Sequence, residues 1–159
     1  MQNKKLQLVL SDVERYFYFL FNKRYKIRYV KELPMGNWEV CLESSNNIII
    51  IGSDQDEIKL AFSPTSFELV REDLFSIEAV IYFLSKEQKF ISRFKGHLFY
   101  RGRKAQLNRL ASLLEVYIDQ IELYFGSDFE NYKSDLILAR NRYFNLYLDK
   151  YVPRRKLND

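Results

Sequence analysis

Histidine occurs once in the 159 residues, at His97, within the stretch FKGHLFYRGRKAQLNRL that runs from Phe94 to Leu110. A general base needs a carboxylate to orient its imidazole. No acid occurs between Gln88 and Leu114. Cysteine also occurs once, at Cys41. One His and one Cys cannot together build a His/Cys zinc site within a chain. His97 is therefore read as a packing or surface residue, not a catalyst. The segment GSDQDE supplies Asp54, Asp56 and Glu57 in calcium-loop fashion. It lacks the glycine at position 6 and the glutamate at position 12 that such a loop needs, so it reads as a hairpin turn. Glu115, Asp119 and Glu122 share one face of a helix. Without Glu-x-x-His pairs they make a wetted face and not a di-iron site. The phosphate-loop, dinucleotide and nucleophile-elbow motifs are all missing. The expectation is a protein that binds and does not catalyse, with no cofactor and no metal.

Charge gives two candidate surfaces. The formal net charge is +4, but it is segregated along the chain. Residues 1–31 hold eight Lys/Arg against Asp12 and Glu14, whereas residues 36–80 hold nine acids against Lys59 and Arg71. Glu39, Glu43, Asp54, Asp56 and Glu57 are expected on or beside one face of a sheet. Such a face would steer a basic protein partner onto it. The alternative is single-stranded nucleic acid, RNA above all. Lys95, Arg101, Arg103, Lys104 and Arg109 would hold phosphates, and Phe99 and Tyr100 would stack bases. The modest basic excess favours the protein partner.

These residues need elements to position them. Leu6, Val9, Leu10, Val13, Phe17, Leu20 and Phe21 repeat at three and four, which predicts one N-terminal helix. Ser11-x-x-Glu14 within it has capping-box form, so the helix begins near Lys5 or near Asp12; the apolar stripe running through Ser11 favours the longer version. The period then drops to two. Segments around Lys26–Leu33, Trp38–Glu43, Ile48–Ile51 and Glu57–Phe62 read as four strands joined by turns too short for crossovers, an antiparallel meander. Gly52 to Asp56 is read as the last of those turns. Phe75–Leu84 and Arg103–Phe125 predict helices, with Gly126 ending the second. Ser127-x-x-Glu130 opens another helix, whose stripe is Tyr132, Leu136, Ala139, Tyr143 and Leu146. A tight link between two such stripes predicts an antiparallel helical hairpin. The fold class is α+β: one domain over residues 1–152, with a basic flexible tail at residues 153–159.

The phrases LSDVERYF, GNWEVCLES, EIKLAFSP and RLASLLEVYIDQI resemble, in the same order, a family of small uncharacterised bacterial proteins. They are structural phrases and carry over no catalytic residue. The order helix, meander, helices is also similar to toxin-neutralising immunity proteins. That likeness implies a non-enzymatic inhibitor that occludes a basic partner such as a nuclease toxin. Solitary cysteine use fits a reducing, cytoplasmic setting. No apolar run approaches the length of a membrane span. Oligomeric state is not legible.

Overall fold

Two rows of apolar side chains cross one face of the sheet and set the architecture. Strand pairing aligns Val30, Val40, Ile51 and Leu60 in one row, and Leu42, Ile49, Phe62 and Phe75 in the next. All but Val30 are essentially inaccessible to solvent. The computed structural model describes residues 3–65, 74–92 and 101–151. Its strands are β1 (Lys26–Glu32), β2 (Trp38–Glu43), β3 (Asn47–Asp54), β4 (Glu57–Pro64) and β5 (Phe75–Ser76). They form one antiparallel sheet in the order β1-β2-β3-β4-β5. The helices are α1 (Lys4–Tyr16), α2 (Tyr18–Asn22), α3 (Ile77–Leu84), α4 (Arg103–Phe125) and α5 (Phe129–Tyr151).

The α+β class and the antiparallel meander agree with the periodicity, but the sheet has five strands and not four. The fifth, Phe75–Ser76, was read as the start of a helix. The helix begins at Ile77 instead, because the Ser76 side chain accepts from the Ala79 backbone N–H and caps it. That leaves Ser76 and Phe75 extended and free to pair with Ala61 and Phe62. The N-terminal helix is likewise two helices, broken at Phe17. Its cap is Asn3, which accepts from Lys5, and not the Ser11–Glu14 box. The break lets Phe17, Phe19 and Leu20 all enter the core, which one straight helix stripe would not allow.

Helix α4 supplies the other half of that core. Leu107, Leu110, Ala111, Leu114, Ile118, Ile121 and Phe125 are buried at helical spacing and join the main cluster with the sheet and α1. At its end Phe125 meets Phe62 at 5.9 Å, Phe75 at 5.6 Å and Phe129 at 5.6 Å between ring centroids. This aromatic knot ties sheet, α4 and α5 together. Gly126 ends α4, but not by a left-handed conformation: its φ is −79°. A Cβ there would lie 2.8 Å from the Glu122 carbonyl oxygen, so close approach is what requires glycine. Helix α5 then lies chiefly along α3 and not back along α4. Ala79, Tyr82, Ala139 and Tyr143 form a second, smaller cluster between α3 and α5. The recorded ring contacts between α4 and α5, Tyr124 with Tyr132 and Phe125 with Phe129, sit beside the turn.

One side chain fixes the β3–β4 hairpin to α4. Gln106, 6% exposed, accepts from the Ile58 N–H at 2.8 Å and donates to the Asp56 carbonyl at 2.7 Å. A second tether reaches the hairpin tip, where the Gln55 N–H donates to Asn37 Oδ1 at 2.8 Å. Asp12, also buried, receives Arg103 and so joins α1 to the start of α4. Among the described residues no helix is long and apolar enough to cross a membrane.

Replacing Phe125 by Ala is expected to lower the unfolding free energy by about 3–5 kcal/mol, through lost burial plus the cavity left in the knot. Gln106→Met keeps the volume but strands two backbone groups, and is expected to lose about 2 kcal/mol. Val116→Ala, at a position 73% exposed on α4, is expected to stay within about 0.5 kcal/mol. Urea denaturation of the three variants measures all of these.

Candidate functional site

The apolar rows commit one face of the sheet to the helices. The opposite face carries the alternate residues. One of its rows runs Lys31, Glu39, Gly52 and Lys59; the next runs Tyr29, Cys41, Ile50, Ala61 and Ser76. Glu43 pairs with Ile48, and Asp54 pairs with Glu57 at the hairpin end. The period of two therefore places Glu39, Glu43, Asp54 and Glu57 on one face, as the alternation predicts. Asp56 lies in the turn itself.

That face is not purely acidic, which corrects the sequence reading. Lys31 Nζ lies 2.9 Å from Glu39, and the Tyr29 hydroxyl donates to the same carboxylate at 2.6 Å. Arg28 lies 3.7 Å from Glu43, and Lys59 forms an ion pair with Asp54. The basic partners come from β1 and from the alternate positions of β4, which counting charge along the chain does not register. Among the described residues of this face, acid is in excess at the hairpin tip, where Asp54 and Glu57 lie near Lys59 and Asp56 sits in the turn.

Within this face lies a depression of about 270 Å³ lined by Leu33, Asn37, Glu39, Ile50, Gly52, Asp54, Lys59 and Ala61 among others. Gly52 creates it by placing no side chain between Glu39 and Lys59. Ile50 and Ala61, both half-buried, provide an apolar floor. Glu39, Asp54 and Lys59 provide a charged rim. None of Ile50, Gly52 and Ala61 was singled out from sequence. The signal was there: a glycine directly after the β-branched run Ile48–Ile51 marks a close approach or an open spot on a sheet. It was instead absorbed into the following turn, whereas the strand continues to Asp54.

In the same row as the floor, next to Ile50, lies Cys41, wholly inaccessible. Burial pushes its thiol up to about 11 from 9.0, against a lowering by the Arg28 charge. Burial, with the hydrogen bond to Glu39, also raises the Tyr29 hydroxyl well above its ordinary value. Both groups are neutral near pH 7.

The basic candidates are dispersed. Arg103 is engaged in part: its Nε and Nη2 donate to Asp12 Oδ2 at 2.8 and 2.6 Å. Arg103, Lys104 and Arg109 stand about 100° and 240° apart around α4 at 3.6 residues per turn, so they do not share one face. Arg101 is exposed just before the helix. Lys95, His97, Phe99 and Tyr100 lie outside the described residues, as does the tail at residues 153–159. A cleft of about 540 Å³ gathers Arg101 and Arg103 with Lys5, Trp38, Asp56 and Gln106 among its lining residues. On the wetted face of α4, Asp119 and Glu122 engage Lys23 of the turn after α2. The hydrogen bond to Asp119 is the main cause of a raised Lys23 pKa. Among the described residues no three His, Cys, Asp or Glu side chains converge as a metal site would require.

No protein-family model, curated protein or solved structure matches the chain.

The thiol makes a direct prediction. Raising its pKa from 9.0 to about 11 lowers the thiolate fraction at neutral pH about 100-fold. Iodoacetamide labelling of Cys41 is expected to be at least that much slower in the native protein than in urea. The sign for stability follows: the folded state holds its proton more tightly than the unfolded one. This contribution is intact below about pH 9 and falls as pH rises from there toward 11. Cys41→Ala is expected to flatten that part of the pH–stability curve.

Proposed function

We propose that this chain is a non-enzymatic protein-binding module of immunity type, acting through the side of its β2–β3–β4 sheet that faces away from α4. The observation that carries the reading is the depression over Ile50, Gly52 and Ala61, with the acidic β3–β4 hairpin tip at its edge. Protein interfaces combine an apolar centre with a polar rim, and this surface has both within three strands. The partner is a basic protein. One apolar or aromatic side chain seats over Ile50 and Ala61, where desolvation makes it a binding hot spot. Lys or Arg beside it pairs with Asp54, Asp56 and Glu57. Those acids steer the encounter and fix the register. Glu39 and Glu43, already held by Lys31 and Arg28, contribute to the rim but not to long-range attraction. Inhibition follows by occlusion of the partner's basic cleft.

The surface is rigid on both sides. The opposite sheet face is locked to α4, and Gln106 and Asn37 fix the hairpin whose tip carries the acids. Such preorganisation lowers the ordering entropy that binding must overcome. Support for single-stranded nucleic acid is weaker, since Arg103, Lys104 and Arg109 stand on different sides of α4.

Affinity capture from the native host distinguishes these readings. The wild-type chain is expected to retain a basic protein that Ile50→Arg/Ala61→Arg loses by at least about tenfold, equivalent to about 1.4 kcal/mol. Leu138→Arg, on the exposed side of α5, is expected to retain it fully. The captured protein is expected to lose its own activity when the wild-type chain is added. Equal capture by the double-arginine chain would contradict the face, and capture of RNA with no protein would contradict the function.

A further inference from the structure

The cleft on the other side of the hairpin belongs to a different surface. It is walled by α1, the 3₁₀ turn at Pro34–Gly36, the edge of β2, the β3–β4 hairpin and the start of α4. Three cationic side chains line it: Lys5 from α1, and Arg101 and Arg103 at the start of α4. Each retains donor capacity. Lys5 Nζ gives one hydrogen bond to the Gly36 carbonyl, leaving two N–H groups. Arg103 spends two of its five N–H groups on Asp12. Arg101 makes no hydrogen bond or ion pair among the described residues. Trp38 and Ile58 supply apolar wall, and Ser53, Gln55 and Asp56 supply polar atoms on the hairpin side.

We propose that this cleft binds a small phosphomonoester of mononucleotide size. Charge selects the ligand class. Lys5, Arg101 and Arg103 face Asp12 and Asp56, so a net positive charge remains, and a dianion gains more from it than a carboxylate does. Size narrows the class further. A volume of about 540 Å³ is large for inorganic phosphate and lies within the range of small-molecule sites. The phosphate sits between Lys5, Arg101 and Arg103, and the hairpin-side polar groups meet hydroxyls of the attached moiety. The open backbone N–H groups at the start of α4 add to the same positive potential, but the side-chain cations and the size of the cleft carry the assignment. The site shares Asp56 with the sheet-face reading, but neither Ile50 nor Ala61 lines it, so the Ile50→Arg/Ala61→Arg chain separates the two.

Adenosine monophosphate is the probe, titrated into the full chain and followed by amide chemical shifts and calorimetry. Binding is expected with a Kd of about 0.1–1 mM, with shifts centred on Lys5, Gly102 and Arg103. Arg101→Ala and Lys5→Ala are each expected to weaken it at least about fivefold, while Lys104→Ala, outside the cleft lining, leaves it unchanged. Adenosine without the phosphate is expected not to bind. Arg101 is exposed, so its variant keeps the fold, and an unchanged melting temperature verifies that. No shifts at about 10 mM probe, equal binding of adenosine, or binding unaffected by Arg101→Ala would each overturn the assignment.

Discussion

The Phe62–Phe75–Phe125–Phe129 knot is the interaction on which the rest depends. It joins the last paired strands to the end of α4 and the start of α5. Once Phe125 is seated there, helical spacing brings Ile121, Ile118, Leu114 and Leu107 down along the sheet. That consumes one side of the sheet entirely. With a side-chain period of two, a slip of one residue would exchange the two faces, so the knot also fixes which residues point away from the core. The surface carrying Glu39, Ile50, Gly52, Lys59 and Ala61 is the consequence of where four phenylalanines pack.

The proposed interface rests on contrast between neighbouring positions. Gly52 removes a side chain where Glu39 and Lys59 would otherwise enclose one. Each charge at the rim is held by a cross-strand partner, Lys31 for Glu39 and Lys59 for Asp54. Exposed pairs of this kind contribute little to stability, about 0–1 kcal/mol. Their effect is to orient side chains and reduce long-range field, leaving the hairpin tip as the acidic feature a partner would sense. Burial of the Cys41 thiol beside Ile50 keeps it protonated and unreactive at neutral pH.

Much of this was legible in the chain. The period-two segments Trp38–Glu43 and Glu57–Phe62 lie within β2 and β4, and the helix read over Arg103–Phe125 is α4. What was not legible depends on contacts distant in sequence. Phe75–Ser76 is extended because Ala61 and Phe62 pair with it, while its local pattern is helical. The path of α5 along α3 is set by Tyr82 and Tyr143, which periodicity alone does not match to each other. Charge counted along the chain made the sheet face acidic, because Arg28 and Lys31 belong to a strand whose pairing with β2 only the fold reveals. Gly52 was the most informative residue overlooked, since its meaning changes from turn to depression with two more residues of strand.

The central claim is that the sheet face over Ile50, Gly52 and Ala61 contacts the partner. Amide hydrogen exchange of the chain alone and in complex with its captured partner measures that contact directly. The account predicts added protection across residues 50–61, greatest at the hairpin tip, with α5 unchanged. Protection confined to α5 or to the start of α4, with residues 50–61 exchanging as in the free chain, would contradict it.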